Sequence, residues 1–145
     1  IQAIILFPII KISPARHKAS CTIFTYGHGL VIAEEALKIL LHEFDIFCEV
    51  ICPTLISPLE IGPLRNSVSM TKKLLTVEEG PTFAALGSES IASLMESGIT
   101  SFDVKRLGNN SVIPCSYDAE DDLLPGTNDI VNSVKELLQW IMLKS

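Results

Sequence analysis

The most constraining feature is the stretch from Cys21 to Phe44, where a strand-like run passes through two glycines into a helical pattern. "CTIFTY", Cys21 to Tyr26, is β-branched and aromatic, which suits a pleated and buried segment. After Gly27-His28-Gly29, the residues Leu30, Ala33, Leu37, Leu40, Leu41 and Phe44 recur at helical spacing, with Glu34, Glu35, Lys38 and Glu43 between them. The alternation continues along the chain. Strands are expected at Ile46 to Ile51, Lys73 to Glu79 and Phe102 to Gly108. A helix is expected over "SESIASLMES", with apolar positions Ile91, Ala92, Leu94 and Met95. A last helix is expected from about Asp129, capped by Thr127 or Asn128, with Ile130, Val131, Val134, Leu137, Leu138 and Ile141 on its apolar face. "SPLEIGPLRNSV" starts like a short helix at Ser57-Pro58, and Gly62-Pro63 should stop it after one turn.

Strands and helices in this order predict an α/β fold of three layers, with a five-stranded, mostly parallel sheet and helices on both faces. Residues 1–20 read as a linker tail with a possible edge strand, and residues 21–145 as the domain proper. The length of 145 residues suits one domain. A net charge of -6 argues against nucleic acid, because phosphate binding needs a basic face. The apolar run Ala3 to Ile10 is broken by Pro8 and is too short to span a bilayer. With no initiator Met, the chain reads as a fragment or a processed product. Cys21, Cys48, Cys52 and Cys115 read as buried reduced thiols. No metal site is expected from them or from His17, His28 and His42.

Candidate chemistry centres on the two glycine-bearing loops. Gly27-His28-Gly29 has the place of a phosphate loop, but the third glycine of the dinucleotide fingerprint is replaced by Ile32. Glu49, 20 residues beyond Gly29, is where a ribose-binding acid would be sought, yet it lies inside a strand. A tight strand-to-helix turn is the simpler reading. In the second loop, "GPTFAALG", the amides of Gly87 and Ser88 open a helix and suit an anion. Glu78 and Glu79 precede it, but neighbouring strand residues face opposite ways. One should be a surface or interface charge and the other a hydrogen-bond acceptor for the loop. His28 should stand at the end of the sheet where ligands gather. The acidic cluster Asp118, Glu120, Asp121 and Asp122 reads as a solvated loop. No residue reads as catalytic.

Taken in order, several segments resemble one family. They are Thr22 to Gly27, Glu49-Val50-Ile51 with Thr54 and Pro58-Leu59, and Leu75-Thr76-Val77-Glu78-Glu79-Gly80-Pro81. Gly87 with Glu89, Val104 with Arg106, Ile113-Pro114 with Ser116, and Leu124-Pro125 with Asp129-Ile130-Val131 follow, and Pro8 and Lys11 match the preceding linker. The set resembles the transketolase C-terminal domain, and most of all that domain in the β subunits of 2-oxoacid dehydrogenase first components. The resemblance implies that thiamine diphosphate and Mg belong to other domains of a full-length enzyme, and that this domain holds no cofactor. It implies an assembly role, against a preceding pyrimidine-binding domain, a partner subunit and an acyltransferase core. It also implies a homodimer and a cytoplasmic or, in a eukaryote, mitochondrial matrix setting. The rival expectation is a free-standing module that binds a small molecule or an anion.

Overall fold

The computed structural model describes residues 7–110 and 123–144. Five strands form one sheet in the order β1-β3-β2-β4-β5. They are β1 (Ile10–Ile12), β2 (Cys21–Phe24), β3 (Cys48–Cys52), β4 (Lys73–Val77) and β5 (Asp103–Leu107). β1 runs antiparallel to β3 at one edge, and every other pairing is parallel. The four helices among the described residues are α1 (Gly29–Phe44), α2 (Gly62–Thr71), α3 (Leu86–Glu96) and α4 (Thr127–Lys144). The expected α/β architecture is therefore observed, and β1 places Ile10, Lys11 and Ile12 within the sheet.

β2, β3 and β4 are buried along their whole length, as central parallel strands require. Alternate residues supply two cores. Cys21, Ile23, Val50, Leu75 and Val77 pack with Ala33, Ala36 and Leu40 of α1 and with Ile130 and Val134 of α4. On the other face Phe24, Ile51 and Leu74 pack with Leu64 and Val68 of α2 and Leu94 of α3. Thr22 also faces α2, where its hydroxyl meets Ser67 Oγ and Thr71 Oγ1, each at 2.7 Å.

Several local expectations are corrected. No helix starts at Ser57-Pro58; α2 begins at Gly62 with Pro63 in its first turn, where a missing N–H costs nothing. The pair expected to stop a helix therefore starts one. On α1 the fully buried stripe is Gly29, Ala33, Ala36 and Leu40, and these small residues let the helix lie close to the sheet. Leu41 and Phe44 stay exposed, with Lys135 Nζ 4.0 Å above the Phe44 ring. On α3 the buried positions are Gly87, Ser90 and Leu94, while Met95 and Ala92 are exposed. Ser90 is tolerated there because its hydroxyl donates to Leu86 O at 2.8 Å. Thr127 and Asn128 lie inside α4, and the side-chain acceptor at that end is Asp129, whose Oδ2 takes the Gly126 N–H at 2.8 Å. Cys21, Cys48 and Cys52 are buried and free. Cys115, the acidic cluster from Asp118 to Asp122, the segment Ile113-Pro114 with Ser116, and Ala3 to Leu6 lie outside the described residues.

Candidate functional site

Strand order reverses about β2, whose neighbours β3 and β4 are reached in opposite directions. In open α/β sheets such a reversal opens a crevice at the carboxyl ends of the strands. Here that crevice lies between the end of β2 and the end of β4. Of the residues singled out from the sequence, Glu78 and Glu79 line it, while His28 and Gly87 do not. Thr25, Tyr26, Gly29, Ile32, Val77, Glu78, Glu79 and Pro125 line it, and it holds only about 10 Å³. That is too little for a diphosphate and barely room for one water.

The reason is local. Gly27 turns the chain with φ +58°, a left-handed conformation that glycine adopts without cost. Gly29 then passes so close to Thr25 that an added Cβ would run into the Thr25 hydroxyl. Thr25 Oγ1 itself donates to Val77 O at 3.1 Å, which ties the two strand ends together. The amides a phosphate would need are engaged. The Gly29 N–H donates to Tyr26 O at 3.2 Å and the Leu30 N–H to Gly27 O at 3.3 Å. The Gly27 N–H favours the thiolate of Cys52, although burial pushes that thiol's pKa up overall. His28 is exposed at the start of α1 and makes no capping bond with its side chain.

The second loop is closed in the same spirit by different means. Glu78 is 5% exposed, and its Oε1 accepts the Gly87 N–H at 2.8 Å. The chain's own carboxylate thus occupies the start of α3, where the backbone amides suit an anion. Ser88 is engaged as well: its N–H donates to Ala85 O at 3.0 Å and its hydroxyl to Thr82 O at 3.0 Å, and it accepts Arg106 Nη1 at 2.8 Å. Glu79 is exposed. Burial raises the pKa of Glu78, against the opposing pull of the Gly87 and Leu86 amides, Tyr26 and Arg106. Burial also raises the pKa of the Tyr26 phenol, and Glu78 and Glu79 raise it further. At Gly87 an added Cβ would meet Glu78 Oε1 at 2.5 Å and Thr76 Oγ1 at 2.7 Å, so only glycine admits this approach.

Outside the closed crevice the carboxyl edge is open and apolar. Two shallow hollows of about 340 and 360 Å³ share Tyr26 and Ile56. Pro81 and Phe83 line the first, and Ile10, Leu30 and Pro53 the second. Phe83 is 86% exposed and Ile56 47%. Sequence reasoning missed this surface, because Ile56 and Phe83 come from separate loops.

A third hollow, of about 400 Å³, lies at the opposite end of the sheet, where Ser13, His17, Lys18, Glu49, Met70 and Thr71 come together. Glu49 is only 4% exposed. Its Oε1 accepts Ser13 Oγ at 2.5 Å and pairs with Lys11 Nζ at 2.9 Å. Burial pushes its pKa up, but Ser13, Ser67 and Lys11 outweigh that and the net direction is down. Sequence reasoning weighed Glu49 only as a ribose acid and set it aside. No group of three or more His, Cys, Asp or Glu side chains among the described residues is placed to hold a metal ion. Nor is any helix among them long and apolar enough to cross a membrane.

These features define a doubly wound α/β domain whose switch crevice is filled by its own side chains, with its apolar surface on the surrounding loops. Residues 11–130 match the model of the transketolase C-terminal domain, and the chain belongs to that family. It is 31% identical over 133 residues to the pyruvate dehydrogenase E1 component subunit beta of Rickettsia bellii, covering 90% of this chain and 41% of the relative. It is 32% identical over 137 residues to the mitochondrial subunit of the same name from Dictyostelium discoideum, covering 92% of this chain and 38% of that one. The chain thus spans about two fifths of the length of these relatives. Among solved structures, a split-gene transketolase described as an inactive beta4 tetramer superposes with a TM-score of 0.75 at 24% identity, over 92% of this chain and 42% of that one. That likeness supports the fold.

Proposed function

We propose that this chain serves as the C-terminal assembly domain of a thiamine diphosphate-dependent enzyme of the 2-oxoacid dehydrogenase or transketolase type. In this reading it carries no catalytic residue of its own. Thiamine diphosphate and Mg are held by other domains, and this one supplies contact surface to a pyrimidine-binding domain, a partner subunit or a second copy of itself. An acyltransferase core is a further partner of the same kind. The setting in this reading is the cytoplasm in a bacterium and the mitochondrial matrix in a eukaryote, in keeping with the mitochondrial names of the eukaryotic relatives.

The observation that carries the reading is the pairing of a closed crevice with an apolar rim. Phe83 and Ile56 stand exposed on loops around Tyr26, and exposed apolar surface of this kind marks contact with another protein. The mean hydropathy of +0.39 is high for an acidic chain of this size and agrees with surface meant to be covered. Sedimentation equilibrium together with titration calorimetry tests the proposal. The expected result is a dimer at micromolar concentration and no heat from thiamine diphosphate with Mg. Micromolar binding of the cofactor would contradict the reading, and a strict monomer would remove the homodimer from it.

A further inference from the structure

We propose that Cys21 and Cys48 form a redox-active dithiol, which a peroxide closes reversibly to a disulfide across β2 and β3. The strand register places the pair. Cys21 and Cys48 are partners on adjacent parallel strands. Neighbouring strands lie about 4.8 Å apart, within the Cα separations of about 4.4–6.8 Å that a disulfide spans. Both side chains belong to the core shared with α1 and α4, so they point to the same face of the sheet. The two thiols also interact. The hydrogen bond with Cys48 is the foremost cause that pushes the Cys21 pKa well up, with burial behind it. Both cysteines are free. Cys52 is free as well, but its partner across β1 is Ile10.

The two sulfurs take different parts. Cys21 is 0% exposed and Cys48 4%. Cys48 is also the first residue of β3, at the end of the sheet, where local opening takes less free energy than in mid-strand. The Cys21 thiol, with its raised pKa, keeps its proton. Cys48 is therefore the sulfur that meets the oxidant, which is hardly larger than water. Its thiolate attacks one oxygen of hydrogen peroxide, and the O–O bond breaks. The sulfur becomes a sulfenic acid, and the other oxygen leaves as hydroxide and takes a proton to become water. Cys21 then gives up its proton and attacks the Cys48 sulfur. The sulfenic oxygen departs with that proton as a second water. Two thiols and one peroxide thus give one disulfide and two waters, the sulfurs losing the electron pair that the peroxide gains. The loop so closed contains the whole of α1, and the bond staples the β2-α1-β3 unit. It lies at the amino ends of both strands, away from the apolar rim, so it does not rest on the assembly reading.

The test treats the reduced 145-residue chain with hydrogen peroxide in the absence of denaturant. Remaining thiols are alkylated, and an unreduced digest is mapped by mass spectrometry. The expected product has lost two hydrogens, joins the peptides of Cys21 and Cys48, and reopens with dithiothreitol. Met70, 70% exposed, gauges the oxidant, because its sulfoxide forms at an open surface. The joined form should unfold at a higher urea concentration than the reduced one. Cys52→Ser should leave the joined peptides unchanged, and Cys48→Ser should abolish them. Met70 sulfoxide with Cys21 and Cys48 both still alkylated would overturn the proposal. So would a bond through Cys52 or Cys115 in their place, or a joined form that unfolds at lower urea than the reduced chain.

Discussion

The two ends of the sheet each bury a glutamate facing the α2 and α3 layer, and they use it in opposite ways. At the carboxyl end Glu78 is consumed by the fold, since its Oε1 holds the Gly87 amide and closes the turn into α3. At the amino end Glu49 is held by Lys11 and Ser13 and borders a hollow of about 400 Å³. At the carboxyl end, where α/β domains usually bind ligands, the switch crevice itself is filled and the open space lies on its apolar rim, whereas at the amino end the hollow is bordered by the charged side chains of Glu49 and Lys18. The fold's usual ligand position is therefore a poor guide here. What matters is which backbone amides and carboxylate oxygens are already bonded.

The largest effect should come from filling the closed end. Gly87→Ala places a methyl within 2.5 Å of Glu78 Oε1 and 2.8 Å of Thr76 Cβ. It should cost about 2–3 kcal/mol on denaturant melting, the upper part of the range for overpacking. Gly29→Ala meets mainly one hydroxyl, that of Thr25, and should cost somewhat less, about 1–3 kcal/mol. At the open end Glu49→Ala removes the partner of Lys11 and Ser13. The loss should be about 1.5–3 kcal/mol, as for a hydrogen bond to a charged group, and at its lower end because Lys11 is 44% exposed and can turn to water. Gly27→Ala meets no atom within 4 Å and pays only for φ +58°, about 1 kcal/mol. A cost for Gly87→Ala no larger than that for Gly27→Ala would show that the close approach at the start of α3 is relieved without penalty. The smallest effect on stability is expected for Phe83→Ser, within about 0.5 kcal/mol, because that side chain is almost wholly solvent-exposed. The same change should weaken self-association in sedimentation equilibrium if the rim is the contact surface.

Much of the closed end was legible in the sequence. The β-branched run before Gly27 marked β2, and the absence of a third glycine at Ile32 separated a structural turn from a phosphate loop. The adjacency of Glu78 and Glu79 predicted that one would face inward and the other outward. The open end was illegible for a physical reason. Glu49 stands between Cys48 and Val50 in an apolar strand, and its partners Lys11 and Ser13 arrive from 38 and 36 residues away through an antiparallel edge strand. Local periodicity carries no record of such a pairing. The start of α2 was misread because Gly62-Pro63 has the composition of both a stop and a start. Only the packing of Leu64 and Val68 into the sheet decides between them. The apolar faces of α1 and α3 were misjudged where small residues, Gly29, Ala36, Gly87 and Ser90, took the close positions that larger ones were expected to fill.

The comparison of the two glutamates makes opposite demands on pH. Glu49 has its pKa lowered on folding, so it contributes stability above the unfolded value and loses it as pH falls through the folded value. Glu78 has its pKa raised, so the native state holds its proton longer, and its contribution declines as pH rises from the unfolded value through the folded one. The direct measurement is a side-chain carboxyl ¹³C NMR titration of the 145-residue chain, with Glu49→Gln and Glu78→Gln used for assignment. The account predicts that Glu49 titrates below the ordinary glutamate range and Glu78 above it. Midpoints displaced in the same direction, or with the order reversed, would contradict it.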